Sequence, residues 1–224
     1  MAEVHGVAGE WARVNGTVRG MQPLFGGCFL AGFAVALMFC HFIVGSVLLM
    51  AAAAVCVWSY RRGVVCVERF FKGARGEEKV AAILRSLPAP YHIFNDFVAC
   101  GRHIDHVVVG PAGVYAVETK FWRGRVTIED GDILLDGSLP DRSPLAQVLG
   151  EAKLVKEQLV KSGWKGDVTP VLVFASDTFN AQPAELHGAV VMNSNALKAS
   201  FDTGAVVLPP PELERLVRLM ENNQ

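Results

Sequence analysis

Ile104-Asp105-His106-Val107-Val108-Val109-Gly110-Pro111-Ala112-Gly113-Val114-Tyr115-Ala116-Val117-Glu118-Thr119-Lys120 is the stretch that decides the fold. Two runs rich in β-branched and aromatic residues flank a Gly-Pro-Ala-Gly turn, which is the pattern of a β-hairpin. With Pro111 and Ala112 as the loop, Gly110 faces Gly113. The same register carries Asp105 opposite Glu118, and Lys120 lies on the same face as Glu118, two residues along. Facing carboxylates roughly 5 Å apart destabilise a sheet unless positive charge lies between them. A divalent cation is the simplest remedy. The plain alternative is a solvated Asp105–Lys120 pair, which contributes little to stability.

On the N-terminal side, Gly73-Ala74-Arg75-Gly76 reads as a linker into a helix from about Glu77 to Leu87. Val80, Ile83, Leu84 and Leu87 are its apolar stripe, and Pro88 and Pro90 end it. Glu77 lies three residues before Val80, on that stripe, where a carboxylate needs a partner. An exposed first-turn Glu facing the helix dipole is the alternative. The pattern also predicts a strand near His92–Val98 and a second hairpin, Arg125–Glu129 with Ile133–Leu135, turning at Asp130-Gly131. A helix over Pro144–Lys161 follows from Leu145, Val148, Leu149, Ala152, Val155 and Leu159, with Gln147 off the stripe. Strands over Val168–Ala175 and Ala189–Met192 and a helix over Pro211–Met220 complete an α/β domain with a mixed sheet.

Further toward the N-terminus the composition changes. The chain has 224 residues, 51% of them hydrophobic, and from Gly20 to Tyr60 no Asp, Glu, Lys or Arg occurs. As one helix, Leu24–Tyr60 would be about 55 Å long, too long for a hydrocarbon core of about 30 Å. Two short spans fit better, at about 24–40 and 42–59, with the turn between His41 and Ser46. Arg13 and Arg19 before the run, and Arg61, Arg62, Arg69, Lys72 and Arg75 after it, place both ends on the cytoplasmic side. Trp58 and Tyr60 suit interfacial anchors. The run is too long and too far from the N-terminus for a signal peptide. The expected organisation is a cytoplasmic segment (1–20), a membrane region (21–60), a basic juxtamembrane linker (61–75) and a soluble domain (76–224). The expected location is a cell (inner) membrane, multi-pass, with the domain facing the cytoplasm.

Five cysteines, without a CxxC pair or zinc-like His spacing, suggest neither a disulfide framework nor a zinc finger. A net charge of −1 provides no global field for nucleic acid, so an anionic ligand must be held locally.

Lys72-Gly73-Ala74-Arg75-Gly76-Glu77-Glu78-Lys79-Val80, then Ile104-Asp105-His106-Val107-Val108-Val109-Gly110-Pro111, then Gly113-Val114-Tyr115-Ala116-Val117-Glu118-Thr119-Lys120 resemble the nuclease-related domain, NERD, of the PD-(D/E)xK nuclease superfamily. The resemblance runs from about Phe71 to Phe174, and Gln147 matches the family's helical Gln. It departs in having His103-Ile104, with no Pro, before Asp105. It implies a restriction-endonuclease-like mixed sheet flanked by helices. It also implies Mg²⁺, or Mn²⁺, held by Asp105 and Glu118, with the backbone carbonyl of Thr119 as a third ligand and Glu77 completing the site either as a ligand or as an acceptor behind the ligands. Lys120 would position or activate the attacking water, and Gln147 would orient Lys120 or a phosphate. Hard Mg²⁺ prefers carboxylate oxygens, and it stabilises charge on phosphoryl oxygens.

Arg102, His103, His106, Trp122, Arg123 and Arg125 form a basic stretch with one aromatic, suited to phosphate contact and base stacking, or else to a solvated Arg-rich loop. The expected function is a membrane-anchored, metal-dependent nuclease acting on DNA ahead of RNA, with the lipid bilayer as a second partner and no nucleotide cofactor. The competing expectation is a non-catalytic membrane-associated module that retains the nuclease fold and binds nucleic acid or protein.

Overall fold

The computed structural model describes residues 1–179, 181–202 and 206–222. The chain divides into two compact units: Met1–Gly9 together with Arg75 onward, and Glu10–Ala74.

The helical unit is α1 (Glu10–Met38) followed by α2 (Phe42–Arg85), whose last part, from Arg75, belongs to the other unit. Its composition is turned inside out. Large apolar side chains point outward, with Phe29 and Ile43 each 78% exposed. The buried residues of α1 are Ala12, Gly16, Gly20, Gly27 and Ala34, all small. A Cβ on Gly20 would lie 2.7 Å from a Val67 methyl and 2.9 Å from the Gly63 carbonyl, so the two backbones approach closely. Small residues at the seam and large apolar ones outside are the pattern of helices packed in lipid. By length and composition both helices can cross a membrane.

The sheet unit contains β1 (Glu3–His5), β2 (His92–Ala99), β3 (Arg102–Gly110), β4 (Gly113–Lys120), β5 (Val126–Glu129) and β6 (Asp132–Leu135). Then follow α3 (Pro144–Lys161), β7 (Val168–Phe174), β8 (Ala184–Leu186), β9 (Ala189–Asn193), α4 (Leu197–Asp202) and α5 (Pro210–Glu221). Among the described residues, seven strands form one mixed sheet in the order β1-β2-β3-β4-β7-β9-β8, and β5-β6 form a separate hairpin. Period-2 alternation sorts the side chains onto its faces. Val107, Val109, Val114 and Ala116 pack toward α3 and α5, while Val108 and Val117 pack toward the end of α2 and α4.

The structure departs from the sequence expectations in four places. The break between α1 and α2 falls at residues 39–41, slightly earlier than predicted. The expected linker at 61–75 is helical throughout, inside α2. Gly73 and Gly76 each disfavour helix by only about 1 kcal/mol relative to Ala, which packing overrides. Gly76 is needed for space, because a Cβ there would lie 2.8 Å from Phe121 Cβ. The first residues are not a detached segment: β1 pairs parallel with β2, Glu3 beside His92 and His5 beside Phe94. Three residues are too few to show strand periodicity in sequence, which also hides β8.

Candidate active site

The β3–β4 ladder follows the expected register from Gly110↔Gly113 to His106↔Val117 and stops one pair short of Asp105 and Glu118. Instead of a direct cross-strand pair, the Asp105 carboxylate turns into the ladder, where its Oδ2 accepts the Thr119 N–H at 2.8 Å. The cause lies in both neighbouring strands. On β2, Phe94 and Phe97 are three apart yet face the same core, and on β3 so do Ile104 and Val107. Strict alternation forbids this, so each strand switches faces in between. The switch on β2 contains Asp96, held at φ 50°, and the β2–β3 ladder is interrupted between Asn95↔His106 and Phe97↔Ile104. Non-glycine residues at positive φ are strained, and such strain collects at functional sites.

Around this break several elements deliver acidic groups. Glu118 and Lys120 share a face at the end of β4, and Lys120 Nζ donates to Glu118 Oε1 at 2.5 Å and to Gln147 Oε1 at 2.8 Å. Gln147 Nε2 in turn donates to Glu151 Oε1 at 2.9 Å, one turn along α3. Glu77 comes from the end of α2 and accepts a backbone hydrogen bond from Gly9, just before α1.

Glu151 is the site residue that the sequence analysis missed. It is 3% exposed, and its Oε2 is buried without a hydrogen-bond donor. The signal was present, because Glu151 stands three residues after Val148 and four before Val155, on the buried stripe of α3. This is the criterion that singled out Glu77.

Crowding of like charges in a dry site raises the carboxyls. Burial, then Asp96 and Glu118, pushes Glu77 up to about 7. Burial and Glu118 push Glu151 up to about 8, against the hydrogen bond from Gln147. Asp105 is held well above the usual carboxylate range by burial, Glu118 and Glu77. Burial alone would lower Lys120, but Glu118 outweighs it and leaves the ammonium above its ordinary value. The resulting donor set is oxygen-rich, repels itself and contains an orphaned carboxyl oxygen, which fits a hard divalent cation such as Mg²⁺ or Mn²⁺.

Beside Lys120 and Gln147 opens a cleft of about 590 Å³, walled by Trp122, Leu135 and the loop Ser138–Arg142. Arg142 is exposed at its wall. Arg102, Arg123 and Arg125 are exposed, and Trp122 is half-buried with its ring against Phe174 at 5.5 Å. His106 corrects an expectation. It is fully buried, its Nδ1 bonds Asn95 Oδ1 at 2.8 Å, and burial drives its pKa down to about 3. A neutral core histidine cannot touch nucleic acid, and its place in the sheet explains the error.

Residues 72–175 match the family model of the nuclease-related domain. The chain carries a NERD domain. No curated protein and no solved structure matches the chain. The matched stretch contains Glu77, Asp105, Glu118, Lys120, Gln147 and Glu151, so every group around the ladder break except Gly9 belongs to the NERD domain.

Proposed function

We propose that this chain is a membrane-anchored nuclease that hydrolyses phosphodiester bonds of DNA, and secondarily RNA, with a divalent cation at Asp105, Glu118 and Glu77 of a restriction-endonuclease-like fold. The observation that carries the proposal is the convergence of four carboxyls and one ammonium, from four different elements, around the interrupted ladder of a nuclease-related domain. A bound Mg²⁺ or Mn²⁺ would supply charge stabilisation at the phosphoryl oxygens and a more acidic water.

The chain's own residues do the rest. Lys120 Nζ, fixed by Glu118 and Gln147, places a positive charge in the wall of the cleft, where a phosphodiester would bind. Gln147 orients Lys120 through its carbonyl oxygen. Glu151, which is not among the proposed cation ligands and whose pKa is pushed up to about 8, can take up and release a proton at its carboxyl oxygen during turnover. Arg142 offers a guanidinium to a neighbouring phosphate, and Arg123 and Arg125 extend the basic rim.

Membrane anchoring is supported by the exposed apolar surface of α1 and α2 and their seam of small residues. The chain segments before Glu10 and after Ala74 belong to one compact unit, which is consistent with a hairpin whose two ends emerge on the same side. The flanking arginines favour the cytoplasm for that side.

The test is a cleavage panel with the full chain in detergent, using single- and double-stranded DNA and RNA with Mg²⁺, Mn²⁺ or chelator. Cation-dependent cutting is the expected result. Binding with no turnover in any cation would leave the non-catalytic module in its place.

A further inference from the structure

A second cluster of ligating groups lies apart from the carboxylate site, at the edge of the sheet. Glu3, His5 and His92 each present one ligand atom, and the three atoms lie within 4.8 Å of one another. From these contacts we infer that Glu3, His5 and His92 form a zinc site that staples the N-terminal strand to the sheet.

The distances are those of a long His5–His92 hydrogen bond and also suit a shared cation. His5 Nε2 faces His92 Nδ1 at 3.5 Å, and Glu3 Oε2 faces the same His92 Nδ1 at 3.6 Å. Both exceed good hydrogen-bond lengths. Two Zn–N bonds of 2.0–2.1 Å at a tetrahedral angle, however, set their nitrogens about 3.4 Å apart, and a Zn–O bond of similar length gives nearly the same edge. Two imidazoles and a carboxylate suit a borderline ion, not Mg²⁺, and leave the fourth tetrahedral position to water.

The support around the cluster points the same way. The Glu221 carboxylate of α5 faces the opposite nitrogen of His5, Nδ1, at 3.7 Å. At that distance the carboxylate is no hydrogen-bond partner, but its charge favours the proton on Nδ1 and leaves the Nε2 lone pair free for a metal. His5 is further fixed by stacking on Phe94, with ring centroids 4.5 Å apart and planes 10° from parallel. Both imidazoles are mostly buried, 14% and 17% exposed.

The location supplies the purpose. β1 is a three-residue strand at the sheet edge, too short to persist on ladder bonds alone. A metal tying Glu3 and His5 to His92 would secure it, and with it the segment that brings Gly9 to Glu77.

The inference does not rest on the nuclease reading, and one titration separates them. The full chain in detergent, stripped by chelator, is titrated with Zn²⁺ against a competing indicator and, in parallel, with Co²⁺ by visible absorption. Wild type and the double variant Asp105→Asn/Glu118→Gln should each bind one tight zinc, which His5→Gln and His92→Gln should lose. Glu221→Gln should weaken it by about 10–100-fold. Because His5→Gln could merely unfold β1, His5→Cys keeps a ligand: it should still bind Co²⁺ and add a thiolate charge-transfer band. No tight zinc in wild type, zinc retained in both His→Gln variants, zinc lost in the Asp105/Glu118 double variant, or no new band in His5→Cys would overturn the assignment.

Discussion

The two units use opposite packing rules. The sheet unit buries Phe94, Phe97, Leu84 and Ile93 and sets polar groups outward, except around the Asp105 break. The helical unit buries glycine and alanine and sets Phe29, Phe33 and Ile43 outward. Large side chains go inward when water is the solvent and outward when hydrocarbon is, so the direction in which size is sorted supports the proposed membrane placement of the helical unit. Polar groups are then informative where they break the local rule. The sheet unit's buried carboxyls are such a break, and the proposed chemistry is built on them.

The largest expected effect sharpens the division of labour. Glu118→Ala should slow cleavage on the order of 10²–10⁴-fold, while a change in the helical seam such as Gly20→Val leaves the rate per folded molecule near wild type. Comparable rate losses from both would break the comparison.

Stability should split next. Leu84→Ala, in the buried core, should destabilise by about 2–5 kcal/mol in denaturant titrations, whereas Phe29→Ala should stay within about 0.5 kcal/mol in detergent. In the helical unit the damaging direction is reversed, and Gly20→Val should cost about 1–3 kcal/mol through contact with Val67 and the Gly63 carbonyl.

The smallest effect is in the pH profile. Glu77 and Glu151 have folded-state pKa values of about 7 and about 8, above their ordinary 4.5, so the folded protein binds these protons more tightly than the unfolded chain. Their contribution is fully present below about pH 4.5 and is lost as pH rises through 7 and 8. Thermal melts without divalent cation should therefore fall in midpoint across pH 6–8.5, and Mg²⁺ should flatten the slope. A midpoint rising with pH over that window would contradict the crowded-carboxyl picture.

What the sequence made legible was local. The β3–β4 register, the turn at Asp130-Gly131 and the limits of α3 follow from periodicity and turn chemistry within a few residues. What it hid depends on contacts distant along the chain. β1 pairs with a strand beyond the helical unit, Gly76 is small because Phe121 packs against it, and His106 is buried because Asn95 satisfies one of its nitrogens. The Asp105–Glu118 relation was legible to within one ladder step. The missing step is the face switch at Asp96, which no single-strand pattern reveals. Glu151 was legible by the stripe criterion and was overlooked.

The most direct test of the central claim is the single-turnover cleavage rate of the full chain against Glu118→Gln, a nearly isosteric change, across a Mg²⁺ titration. Wild type should cut with saturable dependence on the cation, and the variant should fall at least about 10²-fold even at high Mg²⁺. Equal rates in the two proteins, or cleavage by wild type that persists in excess chelator, would contradict it.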